Sequence, residues 1–133
     1  MITAIDTSVL LDVFASDQVH LADSQKAVKK SMTEGRLVIC EIVLAELRPC
    51  FRDAASLNDA LETLEIEFVP MTKEAAFSAG EVWKKYREAG NKREHLVPDF
   101  LVAAHALYSA DRLLTRDRGF YRRWFSGLKI LEP

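Results

Sequence analysis

MITAIDTSVLLDVF, residues 1–14, decides the fold class. Its ITAID portion is apolar and too short for a helix, and it reads as a buried strand that ends at Asp6. Thr7 or Ser8 is then placed to cap a helix through Val9, Leu10, Leu11, Val13 and Phe14. A strand running directly into a helix is the repeating unit of α/β proteins, and the remainder of the chain repeats it. LVIC at 37–40, IEFVP at 66–70, RLLT at 112–115 and LKIL at 128–131 read as further strands. Between them, helical spacing covers 20–34 with a stop at Gly35, then 41–52 with a kink at Pro49, then 56–65. A long helix follows from Thr72 to a stop at Gly90, another starts at Pro98 and Asp99, and 119–125 forms a loop or short helix. Short apolar strands alternating with helices imply a mainly parallel sheet of four to five strands covered on both faces, a three-layer α/β/α sandwich.

Composition sets the outer limits. A chain of 133 residues is of single-domain size, and one domain over 1–133 is expected, burying roughly two-thirds of its unfolded surface. With 49% hydrophobic and 29% charged residues, only 5 Gly and 4 Pro, and no repeat or low-complexity segment, it is expected to fold unaided. The formal charge of -2 does not point to nucleic acid, so any contact with phosphate must come from a local basic patch or from bound cations. The N-terminus lacks a basic segment, and Asp6 and Asp12 interrupt its apolar stretch, which predicts neither a signal peptide nor a membrane span and so a cytoplasmic protein. Cys40 and Cys50 lack the spacing of a zinc site and are expected to be small buried thiols.

Ligands of open parallel sheets bind beyond the carboxyl ends of the strands. Asp6 closes the first strand, Asp117 follows RLLT by two residues, Glu46 lies about one and a half helical turns past the second strand, and Asp99 heads the helix feeding RLLT. Taken singly, each has an ordinary reading: Asp6 a helix cap, Glu46 a solvated residue, Asp99 a first-turn dipole partner, Asp117 a turn residue. As a set, carboxylates gathered in a cleft need a counter-charge, and Mg²⁺ or Mn²⁺ supplies one through hard oxygen ligands without His or Cys. Such an ion suits phosphodiester hydrolysis.

IDTSVLLD, LAELR, VPDFLVAAHAL and LLTRDRGF resemble, in order and spacing, the motifs of the PIN domain nucleases, and most nearly their VapC-like toxins. These segments run from Ile5 to Phe120, most of the chain. The resemblance implies an Mg²⁺- or Mn²⁺-dependent endoribonuclease that hydrolyses RNA, is inhibited by a cognate antitoxin and forms a homodimer. Carried over by position, Asp6, Glu46, Asp99 and Asp117 match the acidic quartet: Asp6 and Asp99 as the most direct ligands, Glu46 as a ligand or a base acting through water, Asp117 as a ligand of a second or weaker site. Thr115 matches the hydroxyl residue that orients a carboxylate. Cys40 departs from the pattern, because many relatives place Ser or Thr there and a thiol is a weaker hydrogen-bond partner.

Arg112, Arg116, Arg118, Arg122 and Arg123 gather near Asp117 in sequence. Arg116 and Arg118, which flank the acid, are candidates for holding RNA, set against salt bridges on a solvated face. Lys84, Lys85, Arg87, Lys92 and Arg93 form a second basic region. Phe120, Tyr121, Trp124 and Phe125 are expected in the core rather than stacked on bases, and His105 in the core or an interface. Two rivals remain. A haloacid-dehalogenase-like phosphatase also begins with an acid after its first strand, but that chemistry wants a second Asp at position 8, which is Ser. A PIN-like module that binds RNA or protein without cutting is opposed by the presence of all four acids.

Overall fold

The computed structural model of the protein describes residues 1–90 and 97–133, except for the side chain of Arg118. Lys92, Arg93 and His95 lie outside the described residues. The strands are β1 (Ile2–Ile5), β2 (Arg36–Ile39), β3 (Ile66–Phe68), β4 (Arg112–Leu114) and β5 (Ile130–Leu131). They form one sheet in the order β3-β2-β1-β4-β5, and every neighbouring pair is parallel. The helices are α1 (Thr7–Phe14), α2 (Leu21–Glu34), α3 (Glu41–Leu47), α4 (Ala54–Thr63), α5 (Lys73–Glu88), α6 (Val97–Ser109) and α7 (Arg118–Trp124), and they complete the three-layer sandwich. No described helix is long and apolar enough to cross a membrane.

β1 is central because its side chains are apolar on both faces: Ala4 and Ile5 are buried, as are Val38 and Leu113, between which Ala4 is paired. From β1 the chain builds outward to β2 and β3, then returns to the other side of β1 to add β4 and β5. The strand order therefore reverses between β1 and β4, and a crevice is expected at their carboxyl ends. Gly35 makes the first crossover possible. A Cβ there would stand 1.8 Å from the Met1 carbonyl oxygen, to which the Arg36 N–H donates at 2.9 Å.

Several boundaries differ from the sequence expectation. Neither Thr7 nor Ser8 is the cap of α1; Asp6 occupies that position, and its side chain does not cap. Pro49 ends α3 rather than kinking it, and the chain continues as a 3-10 turn over Arg48–Cys50, since the proline ring would clash with a carbonyl of the preceding turn. Asp53 starts α4 early by accepting the Ser56 N–H at 2.8 Å. Thr72 caps α5 as expected, accepting from Ala75 N–H at 3.1 Å. Cys40 is buried but Cys50 is exposed, because the turn that carries it has no buried residue.

Candidate functional site

Asp6 follows β1 and heads α1, and its own N–H donates to the Leu114 carbonyl at 2.9 Å, which locks it beside the end of β4. The residue is 9% exposed. Thr115 Oγ1 donates to Asp6 Oδ2 at 2.7 Å, and Ser8 Oγ donates to the same oxygen at 3.0 Å. Burial pushes the Asp6 carboxyl above the usual carboxylate range; the Thr115 and Ser8 hydroxyls pull it back down, and the nearby charge of Asp99 raises it again. Thr115 bonds in two directions, for its Oγ1 also accepts the Asp117 N–H at 3.0 Å. The orienting role expected for Thr115 thus has direct partners, the Asp6 side chain and the Asp117 backbone.

Glu46 projects from α3, and Thr7 Oγ1 donates to its Oε1 at 2.8 Å across 39 residues of sequence. Thr7 and Ser8, read in sequence as candidate caps, instead face two acids. Both hydroxyls sit in the first turn of α1, where the turn places one toward Glu46 and the other back over Asp6. Asp99 lies in the first turn of α6 and Asp117 is the residue before α7.

The charges of all four acids act on one side chain. Tyr121 of α7 is 1% exposed, and its ring sits 5.0 Å from that of Phe120 in the aromatic core that also holds Phe100 and Phe125. Burial, and after it the charges of Asp6, Asp99, Asp117 and Glu46, push the Tyr121 phenol far above its ordinary range. The core placement expected of Tyr121 is what the structure has. What sequence reasoning missed is that the four acids lie within electrostatic reach of it; the sign available was the four-residue step from Asp117, one turn along a helix.

The carboxylates are near one another without being gathered onto a point. Among the described residues, no three His, Cys, Asp or Glu side chains stand close enough to hold one ion as they lie. The donors nevertheless fit a hard cation. Asp6 accepts both hydroxyl hydrogen bonds on Oδ2, and the Thr7 N–H also lowers its pKa by hydrogen bonding. A Mg²⁺ ion keeps several waters and needs only one or two direct carboxylates, so a closed cage of three is not required.

The arginines are largely engaged. Arg112 pairs with Glu34 at 3.0 Å and also donates to Thr3 Oγ1, Arg122 pairs with Glu132 at 3.3 Å, and Arg123 stacks on Trp124. Arg116 forks onto Asp12, with Nε to Oδ2 and Nη2 to Oδ1 both at 2.8 Å. The Arg118 side chain lies outside what is described. Buried Cys40 stands at the head of α3 and forms no side-chain cap, and burial raises its thiol. His105 is buried, with Nε2 at 2.8 Å from the Val69 carbonyl, and burial lowers its pKa.

A family model described as PIN domain matches residues 3–124. Among curated proteins no relative matches the chain. Similar solved structures include VapBC2 from Rickettsia felis bound to a DNA fragment from its promoter, with TM-score 0.75 at 20% identity, covering 99% of this chain and 98% of that one. VapBC-1 from nontypeable Haemophilus influenzae gives TM-score 0.74 at 18% identity, again covering 99% and 98%. VapBC-5 from Mycobacterium tuberculosis, a member of the VapBC family of toxin–antitoxin systems, gives 0.58 at 22% identity with coverage of 99% and 98%. At these identities the likeness is one of fold. The haloacid-dehalogenase reading is not favoured, and the Ser8 hydroxyl, where that chemistry wants an acid, is bonded to Asp6.

Proposed function

The chain belongs to the PIN domain family, and from that premise we propose that it is a metal-dependent endoribonuclease, the toxin of a toxin–antitoxin pair, acting as one domain over its full length. What supports this reading is that Thr115 bonds both the Asp6 side chain and the Asp117 backbone while the adjacent Thr7 bonds Glu46, at the point where strand order reverses, with the charge of Asp99 acting on Asp6. Acids from four separate segments have no common structural task that would bring them together.

Asp6 and Asp99 are the direct ligands of Mg²⁺ or Mn²⁺, with Asp117 a ligand of a second or weaker site. When bound, the ion polarises the phosphoryl oxygen, lowers the pKa of water and steadies the leaving oxygen. The chain's own groups do the remaining work. Ser8 and Thr115 fix Asp6 through one oxygen and so aim the other. Thr7 holds Glu46 by Oε1, leaving Oε2 to accept a proton from the attacking water. The water oxygen bonds to phosphorus as the P–O ester bond breaks, and no covalent enzyme intermediate forms. The partners are RNA, a cognate antitoxin protein, as in the VapBC complexes that the fold resembles, and a second copy of the chain in a homodimer.

The test is cleavage of structured and unstructured RNA by the purified protein, with Mg²⁺ or Mn²⁺ and with EDTA. Cleavage is expected with metal only, and Asp6→Asn and Asp99→Asn are expected to abolish it while leaving the fold intact. Undiminished cleavage in both variants refutes the assigned site.

A further inference from the structure

Asp12 lies in α1 and is 2% exposed, yet it is not one of the four candidate acids. Its two oxygens accept three hydrogen bonds, two from the Arg116 fork and one from Ser24 Oγ at 2.6 Å. A carboxylate so enclosed must be paired, and the bidentate fork of arginine fixes direction as well as charge. Asp12 and Arg116 are separated by 104 residues of sequence, so the pair joins elements far apart along the chain. On one side it reaches α2 through Ser24. On the other it holds the segment between β4 and α7, in which Thr115, Arg116 and Asp117 are consecutive.

That segment therefore touches α1 at two places. Thr115 bonds Asp6 at the head of the helix, and Arg116 bonds Asp12 more than one turn further on. Two anchors fix an angle where one fixes only a point. The Thr115 N–H also donates to the Leu131 carbonyl at 3.1 Å, so the sheet holds the start of the segment; Arg116 adds the hold beyond it, next to Asp117. Ser24 completes the arrangement by holding Oδ2, the oxygen that also receives Arg116 Nε.

We infer that Asp12 and Arg116 are positioning residues, whose ion pair clamps the 115–117 segment against α1 and so sets where Asp117 and Thr115 stand relative to Asp6. Arg116 then serves the site through the loop that it holds. The consequence for metal binding rests on the proposed nuclease reading; the clamp itself does not.

The experiment uses the full chain and three variants: Arg116→Lys, which keeps the charge but lacks the fork, Asp12→Asn, and Arg116→Ala with added methylguanidinium or methylammonium. Amide hydrogen exchange of metal-free protein reads the clamp, and titration with Mn²⁺ reads the site. In Arg116→Lys the Asp117 amide is expected to exchange about tenfold faster while the β1 amides keep their protection, and Mn²⁺ is expected to bind about tenfold more weakly, the lower end of what loss of an outer partner costs. Neither cation is expected to restore either in Arg116→Ala, because a free cation pairs with Asp12 without tethering the segment; restoration by methylguanidinium overturns the clamp. Unchanged Asp117 exchange in Arg116→Lys and Asp12→Asn overturns the proposal, and so does protection lost equally from β1 and β4, which marks a general destabilisation. Faster Asp117 exchange with unchanged Mn²⁺ affinity overturns its bearing on the site. If the unaltered protein neither binds Mn²⁺ nor cuts RNA, the nuclease reading falls, and Asp117 exchange still decides the clamp.

Discussion

Asp6 and Asp12 belong to the same short stretch of chain and are both shut away from solvent, yet they are treated in opposite ways. Asp12 has a guanidinium fork and a serine hydroxyl, so its charge is balanced by the chain itself. Asp6 has neutral donors, two hydroxyls and the Thr7 N–H; the charge that acts on it is that of another acid, Asp99, and its carboxyl is pushed up by burial. The difference teaches how to tell a structural buried acid from a candidate ligand. The structural acid is satisfied within the fold, while the candidate ligand is oriented but left short of positive charge. Burying an unbalanced carboxylate is costly, and a fold that keeps one has placed it to meet a cation from outside.

The same substitution at the two sites should break the symmetry most sharply. Asp6→Asn is expected to reduce RNA cleavage by more than the roughly 100-fold that loss of an outer-shell partner can cost. It should not lower the urea midpoint, because burial no longer opposes a charge there. A destabilised Asp6→Asn protein would mean that the ionised Asp6 is structurally required. Asp12→Asn should do the reverse in stability, losing about 2 kcal/mol in urea unfolding, less than the ~3–5 kcal/mol of a fully enclosed pair because the Arg116 side chain is 35% exposed. No change in its midpoint would remove Asp12 from the contrast.

Thr115→Val sharpens the Asp6 half. It keeps the shape and removes the hydroxyl that serves Asp6 and the Asp117 N–H together. We expect a loss of about 1 kcal/mol in stability and about a tenfold higher Mg²⁺ requirement for cleavage. An unaltered Mg²⁺ requirement would show that Thr115 orients neither acid.

His105 gives a third way of managing a buried ionisable group, by giving up its charge. Burial lowers its folded pKa from 6.5, so on acidification the unfolded chain takes up the proton first. Its contribution is therefore complete above pH ~6.5 and declines as pH falls through that value toward the folded pKa, at no more than about 1.4 kcal/mol per pH unit. Thermal melts from pH 8 to 5 should show that decline, reduced in His105→Asn; an identical slope in the variant would assign it to other groups.

The strands and helices were legible in the sequence because each rests on a local pattern: ITAID is an apolar run too short for a helix, and Val9, Leu10 and Val13 follow at helical spacing. Boundary errors fell where a neighbour's backbone decided the matter, as at Pro49, or where an exposed turn carried an apolar residue, as at Cys50. Asp6 and Asp117 were legible as residues following strands, while Glu46 and Asp99 were picked out only with the family resemblance. The roles of Thr7 and Ser8 were not, because a hydroxyl after a strand caps a helix by default, and only the presence of Glu46 and the Asp6 side chain draws it elsewhere.

By itself, then, the sequence determined the parallel α/β alternation and the placing of Asp6 and Asp117 at strand ends, since these follow from side-chain period and strand length within a few residues. Only the tertiary structure decided which buried acid received a cation. Arg116 stands beside Asp117 in sequence but bonds Asp12, and Thr115 bonds Asp6 across 109 residues. Those pairings exist because β4 adds next to β1, and strand order is settled by how the whole sheet packs, not by any one segment.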